Sequence, residues 1–141
     1  MTVQEIKHEF FSRRNGIIAD AYRNAGDPHK TVFGLQLPQL SEIARMAGMP
    51  DTALSVQLWA DRDCRESRLL ACWLVDPADV TEQQALDMAA DTRTREEADI
   101  LAFRLLRRLP FATALADKIR KSSASDISIY VATALKRNLQ P

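Results

Sequence analysis

Residues 66–75 read ESRLLACWLV and residues 97–106 read EADILAFRLL, which is one pattern of apolar residues repeated at an offset of 31. The stretches before them, LWADRDCR (58–65) and MAADTRTR (88–95), match at an offset of 30. SIYVATAL (128–135) repeats the pattern once more, with Ala71, Ala102 and Ala132 in register. The chain is therefore built from a recurring pair of short helices, each of about 11 to 16 residues.

A single pair of such helices cannot bury its apolar faces, so at least three pairs should stack. No stretch alternates with the period of two that a half-buried strand requires. We therefore predict an all-α fold, a right-handed α-α superhelix (solenoid) of HEAT-like, armadillo-type helix pairs. The second helix of each pair is the more apolar and should form the inner layer, whose ends carry the concave binding face.

The length of 141 residues suits a single domain, residues 1–141. Within it we expect an N-terminal helix over 2–25, a joint over 26–37 and helical repeats over 38–138. Pro38 fits the first turn of the helix after the joint, and Gly48 should end that helix as its C-cap. Asp63 can cap the helix that contains the first repeat of the pattern.

The remaining composition indicates a cytoplasmic protein with no cofactor and no membrane or metal partner. No apolar run approaches the roughly 18 residues of a membrane span, and the N-terminus has no signal-peptide core. Cys64 and Cys72 lie eight residues apart on one predicted helix, about 12 Å, which is too far for a disulfide. The cysteines, His8 and His29 lack the spacing of metal ligands.

The net charge is zero, but the charges are unevenly distributed. Residues 1–99 hold 11 Lys and Arg against 17 Asp and Glu, whereas residues 100–141 hold 8 against 2. Such asymmetry indicates a face that binds a polyanion. The ordinary charged surface of a helical repeat protein is the alternative, and both interpretations stay open.

Two linked motifs carry a family resemblance. The first is Phe33-Gly34-Leu35-Gln36-Leu37-Pro38-Gln39-Leu40 followed by Ile43-Ala44, and the second is Leu58-Trp59-Ala60-Asp61 followed by Arg65-Glu66-Ser67-Arg68-Leu69-Leu70-Ala71. In order and separation they resemble the DNA alkylation repair proteins of AlkD type. The resemblance covers roughly residues 30–76, and this chain would be a shortened member with fewer repeats.

The resemblance implies a HEAT-like solenoid that holds duplex DNA on a basic concave face. It also implies a DNA glycosylase that excises N3- or N7-alkylated purines, with a carboxylate that stabilises the developing oxocarbenium or places a water. Asp99 matches the position of the family's catalytic aspartate, while Arg95 stands where the family has a tryptophan. Asp99 with Glu96 and Glu97 would stabilise a cationic sugar; the alternative is a solvated acidic first turn of a helix.

The candidate DNA-binding residues are cations on the inner-type helices or at their ends. They are Arg65, Arg68, Arg104, Arg107, Arg108, Lys136 and Arg137. If they converge they form a stripe that grips phosphates without reading sequence. If they scatter they are rim charges, or they pair with acids such as Glu66 and Glu97.

The tryptophans and one basic cluster also have structural interpretations. Trp59 and Trp73 lie on apolar stripes and should pack in the core. Lys118, Arg120 and Lys121 before Ser122-Ser123 are either cations at a helix end or a phosphate clip.

The sequence thus supports two functions. The first is a DNA alkylation repair-like protein that binds duplex DNA. The second is a HEAT-like scaffold that binds a protein partner and does no chemistry, because the same fold hosts many roles.

Overall fold

The computed structural model describes residues 1–122 and 125–141, and within them it contains nine α-helices and two short 3-10 helices. The α-helices are α1 (Val3–Ser12), α2 (Gly16–Asn24), α3 (Leu37–Ala47), α4 (Thr52–Ala60), α5 (Arg65–Leu74), α6 (Glu82–Ala90), α7 (Arg95–Arg104), α8 (Ala112–Ser122) and α9 (Asp126–Leu139). The 3-10 helices are Pro77–Asp79 and Leu106–Arg108. The chain divides into two compact units, Met1–Val75 and Asp76–Pro141.

The predicted N-terminal helix over 2–25 is in fact two helices, α1 and α2. Asn15 separates them and acts as the N-cap of α2, with its Oδ1 accepting a hydrogen bond from the Ile18 amide at 3.1 Å. The Asn15 amide donates to the Phe33 carbonyl at 2.8 Å. A helix could not continue through this residue, because asparagine offers the backbone better bonds at a cap and its amide is bonded to the joint.

The joint between α2 and α3 is held by one buried carboxylate. Glu66, which is fully buried at the start of α5, accepts hydrogen bonds from the amides of Phe33, Gly34 and Leu35 at 2.9, 3.1 and 3.3 Å. Gly34 has φ +85°, and a Cβ at this position would lie 2.3 Å from the Asn15 carbonyl oxygen. The two motifs of the resemblance are therefore in direct contact, and the glycine is required by both backbone conformation and space.

Helix α3 begins and ends as predicted. Pro38 lies in its first turn, and Gly48 is the C-cap in the left-handed conformation. Leu40, Ile43 and Ala44 are fully buried on one face. The 3.6-residue periodicity of these apolar residues therefore identified both the helix and its buried face.

The sequence repeat corresponds to three successive pairs of helices in the chain, α4 and α5, α6 and α7, and α8 and α9, of which α4 packs against α5 and α8 against α9. Ala71, Ala102 and Ala132 are each 0% exposed, so the register of the repeat is also a register of burial. The prediction that Asp63 caps α5 is wrong, because Cys64 holds the N-cap position. The Asp63 carbonyl instead accepts a hydrogen bond from the Thr31 amide at 2.9 Å, which ties α5 to the joint.

Unit Met1–Val75 is centred on α5, which packs against α3 and α4 and has all ten of its residues buried. Trp73 is buried there, 6% exposed, as predicted for a core residue. Trp59 is partly exposed on α4, and its ring lies beneath the Arg68 guanidinium. Both tryptophans of the chain belong to this unit.

Unit Asp76–Pro141 is centred on the contacts of α9 with α7 and α8. Leu101, Leu115 and Leu135 are fully buried between these helices. The Ser128 hydroxyl donates to the Ala89 carbonyl at 3.2 Å, which links α9 to α6. The packing leaves one side of α7 and α9 exposed.

Candidate nucleic-acid interface

Asp99 lies on the exposed side of α7, where its carboxylate is positioned by a tyrosine of the next helix pair. The Tyr130 hydroxyl donates to Asp99 Oδ1 at 2.8 Å. The guanidinium carbon of Arg95 lies 4.8 Å from the centroid of the Tyr130 ring. The predicted catalytic aspartate is thus accessible, and the arginine in the tryptophan's place contacts an aromatic ring supplied by α9.

Glu97 does not join Asp99 on this surface. It is 1% exposed, and its Oε1 accepts a hydrogen bond from the Arg93 amide at 2.9 Å. Its own amide donates to the hydroxyl of the N-cap Thr94. Glu97 therefore closes the first turn of α7, a structural role like that of Glu66 one repeat earlier, whereas Glu96 is partly exposed and Asp99 is exposed.

Phe103 is an exposed aromatic residue in the last turn of α7 and was not among the predicted site residues. Its side chain is 44% exposed. The guanidinium carbons of Arg107 and Arg104 lie 4.2 and 5.6 Å from its ring centroid. Arg107 Nε also donates to the Phe103 carbonyl, which folds this arginine back over the ring. An aromatic residue with arginines one and four positions later was the sequence signal that could have revealed this cluster.

The other predicted cations of this unit lie in the 3-10 helix after α7 and in the last turn of α9. Arg108 is exposed in the 3-10 helix Leu106–Arg108, which packs against α8 and α9. Lys136 and Arg137 are exposed in the last turn of α9. Lys136 Nζ lies 3.0 Å from Asp117 Oδ1, and this hydrogen bond lowers the pKa of the Asp117 carboxyl below its usual range. All five cations predicted in this unit thus lie at the C-terminal ends of α7 and α9 or in the 3-10 helix that follows α7.

Arg65 has a different location from these five, inside unit Met1–Val75. It is 1% exposed, and its guanidinium stacks on Tyr22 at 3.9 Å. Its Nη1 donates to the Leu35 carbonyl at 2.9 Å and to Glu66 at 2.6 Å. Arg65 therefore pairs with Glu66, as in the alternative prediction, and does not belong to a stripe of phosphate-binding cations. Contact with a DNA phosphate requires an exposed guanidinium, which Arg65 does not have.

Arg68 is likewise enclosed, at 0% exposed. Its guanidinium lies 3.6 Å from the Trp59 ring centroid, and Nη1 donates to the Trp59 carbonyl at 2.8 Å. Nearby, Asp61 accepts from the Ser67 hydroxyl and pairs with Lys7, and the hydrogen bond to Asp61 raises the Lys7 pKa. The second motif of the resemblance is therefore a packing motif within its unit.

Two other expectations concern residues outside this surface. Lys118 pairs with Glu82 across α8 and α6, so one cation of the suggested phosphate clip contacts a carboxylate. Ser123 of that clip lies outside the described residues.

Within residues 1–122 and 125–141, no group of three or more His, Cys, Asp or Glu side chains could hold a metal ion. No described helix is both long and apolar enough to cross a bilayer.

Comparison with known proteins identifies the fold. No protein-family model and no curated protein matches the sequence. A solved structure matches with a TM-score of 0.87 at 18% sequence identity, over 99% of this chain and 57% of the matched chain. That protein comes from "a new family of proteins related to the HEAT-like repeat DNA glycosylases with affinity for branched DNA structures".

The chain therefore has the all-α, HEAT-like repeat fold that its sequence predicted. It spans little more than half the length of the matched protein. The resemblance found in the two motifs is confirmed at the level of fold, and at this identity the likeness extends no further.

Proposed function

We propose that this chain binds DNA through cations of its second unit, most of which are exposed and one of which, Arg104, is partly exposed. The observation that carries the proposal is the grouping of Arg104, Arg107, Arg108, Lys136 and Arg137 at the C-terminal ends of α7 and α9 and in the adjoining turn. Only two acidic residues, Asp117 and Asp126, occur in residues 100–141. Arginine forks are suited to phosphate oxygens, so such a surface grips the backbone.

The fold supports the same proposal. The matched HEAT-like protein belongs to a family with affinity for branched DNA, and HEAT-like repeats present extended binding surfaces. Arg65 and Arg68 are left out of the proposed interface because both are buried. Their role is to hold α5 against the joint and against Trp59.

A salt-dependent binding titration tests the proposal. Labelled duplex and a labelled three-way junction are titrated with protein at 50 and 200 mM salt, and fluorescence anisotropy is recorded. Affinity should fall with salt, because each phosphate contact releases counterions. The double variant Arg107→Gln/Arg108→Gln should weaken binding and reduce the slope of log K against log salt by about 2.

Arg120→Gln and Arg45→Gln are the matched controls. Both arginines are exposed in the last turn of a helix, α8 and α3 respectively, and neither belongs to the proposed surface. Each control should keep the affinity and the slope of the unaltered chain. Equal losses in the controls and in the double variant would mean that net charge, and not this surface, governs binding.

Excision of alkylated purines is a second candidate, favoured by the exposed Asp99 carboxylate that Tyr130 positions. Release of 7-methylguanine from methylated duplex should then be measurable and should be abolished in Asp99→Asn, which keeps the shape but loses the charge. Binding of DNA without release of the base would support the DNA-binding function and refute the glycosylase activity. If the chain binds no DNA but self-associates in sedimentation, the scaffold function is the better account.

A further inference from the structure

Phe103 is an exposed apolar side chain at the C-terminal end of α7, with two arginines against its ring and the Asp99 carboxylate one helical turn earlier. Its 44% exposure removes much of the benefit of burying an aromatic ring. Arg104 and Arg107 lie 5.6 and 4.2 Å from the ring centroid, and the second is bonded to the carbonyl of the same residue. The exposed ring thus lies beside two positive charges.

We propose that Phe103 is a stacking platform for an unpaired base, with Arg104 and Arg107 on the flanking phosphates. The inference rests on the proposed DNA binding and names the nucleotide that this surface recognises. A phenyl ring stacks on the face of any base, so this contact carries no sequence preference. Bases inside a duplex are already stacked on one another, so the ligand class is a single-stranded or gapped nucleotide.

Charge complementarity decides between this occupant and an apolar segment of another protein. A phosphodiester places one negative charge beside each base, which matches a ring flanked by two guanidinium groups. An apolar protein segment would instead remove solvent from those guanidinium groups without offering acceptors, which is costly. A nucleotide therefore satisfies both the ring and the charges.

The experiment compares a fully paired duplex with the same duplex carrying a gap of three unpaired thymidines. The unaltered chain should bind the gapped duplex about tenfold more tightly, the scale of one base–aromatic contact. Phe103→Leu should abolish that preference and leave the affinity for paired duplex unchanged, since leucine keeps an apolar side chain but lacks the aromatic face. Phe103→Trp should retain the preference.

Phe11→Leu is the matched control. Phe11 is also exposed, at 52%, and Arg14 lies 3.8 Å from its ring centroid, but it belongs to the first unit and not to the proposed DNA-binding surface. It should keep the preference for the gapped duplex. A second measurement, photo-crosslinking of a gap that contains 5-iododeoxyuridine, should place the adduct on Phe103 by mass spectrometry.

The outcomes separate this inference from the proposed function. Salt-dependent binding of both DNAs, with no preference that depends on Phe103, would refute the stacking platform and leave DNA binding intact. Absence of binding to either DNA would refute both. Capture of an apolar peptide that Phe103→Leu abolishes, without any gap preference, would assign the ring to a protein partner.

Discussion

Substitution of Gly34 by alanine should disrupt the joint that anchors the first unit. Gly34 has φ +85°, a conformation that costs an L-residue about 1–2 kcal/mol. An added Cβ would also lie 2.3 Å from the Asn15 carbonyl oxygen and 2.9 Å from the Ala19 amide nitrogen, both of them backbone atoms. The start of α2 and the joint would have to separate by about 1 Å to restore ordinary contact distances.

The magnitude follows from the bonds that such a shift breaks. The joint holds one hydrogen bond from Asn15 to Phe33 and three to the buried Glu66 carboxylate. Loss of two of these at about 1 kcal/mol each, added to the backbone term, gives a destabilisation of about 3–4 kcal/mol. This is a large fraction of the stability of a small domain.

Two other glycines separate the contributions. Gly26 has φ +96° but open space around its Cβ position, so Gly26→Ala should cost only the backbone term of about 1–2 kcal/mol. Gly16 lies in the first turn of α2 with nothing within 4 Å, and Gly16→Ala should be neutral or stabilise by up to about 1 kcal/mol.

Urea unfolding followed by tryptophan fluorescence is the assay, because both tryptophans lie in the first unit. The predicted order of midpoints, from highest to lowest, is Gly16→Ala, Gly26→Ala and Gly34→Ala. A Gly34→Ala midpoint that coincides with that of Gly26→Ala would refute the steric argument. The hydrogen bonds of the joint would then tolerate the extra carbon.

Three further predictions concern individual side chains. Asp117→Asn should release Lys136, which should raise the affinity for duplex DNA and increase the slope of log K against log salt by about 1. The pKa of the Asp117 carboxyl is lowered, so this carboxylate stays ionised at pH 6. Acidification from pH 7.5 to 6 should therefore not reproduce the effect of the substitution in anisotropy measurements. The thiol of Cys64, whose pKa burial raises, should react with Ellman's reagent at pH 8 only as fast as the protein unfolds, and a rapid reaction in native buffer would contradict this. Tyr130→Phe removes one exposed hydrogen bond to Asp99 and should cost at most about 1 kcal/mol of stability in circular dichroism melts; a loss above 2 kcal/mol would show that this pair supports the packing of α7 on α9.

The helices themselves could be predicted because their signals are local. Apolar spacing located α3 and the helix pairs, and Pro38 and Gly48 marked the two ends of α3 correctly. The break at Asn15 is invisible in the apolar stripe, which continues through it, although Asn15 is itself a local N-cap signal and bonds to the Ile18 amide. What no local pattern shows is the second bond, from the Asn15 amide to the Phe33 carbonyl 18 residues later.

The sequence predicted which types of residue form the candidate site, but not which particular residues lie together on its surface. Asp99 was a candidate from the resemblance alone, and its hydrogen-bond partner Tyr130, 31 residues later, is known only from the fold. Phe103 directly follows the buried Ala102 on α7, yet it faces solvent. A shift of one residue turns a helix by about 100°, so it decides which side chains share a surface.

The sequence by itself determined that the chain consists of paired helices, where α3 begins and ends, and which alanines pack in register, because helical periodicity and capping act over a few residues. The tertiary structure alone decided which arginines can meet a ligand. Arg65 and Arg104 both lie at an end of an apolar helix, yet one is enclosed by Tyr22, Leu35 and Glu66 and the other flanks an exposed ring. Tyr22 and Leu35, which enclose Arg65, lie 30 or more residues away from it in the sequence, so only the folded chain separates this buried, structural arginine from the partly exposed Arg104.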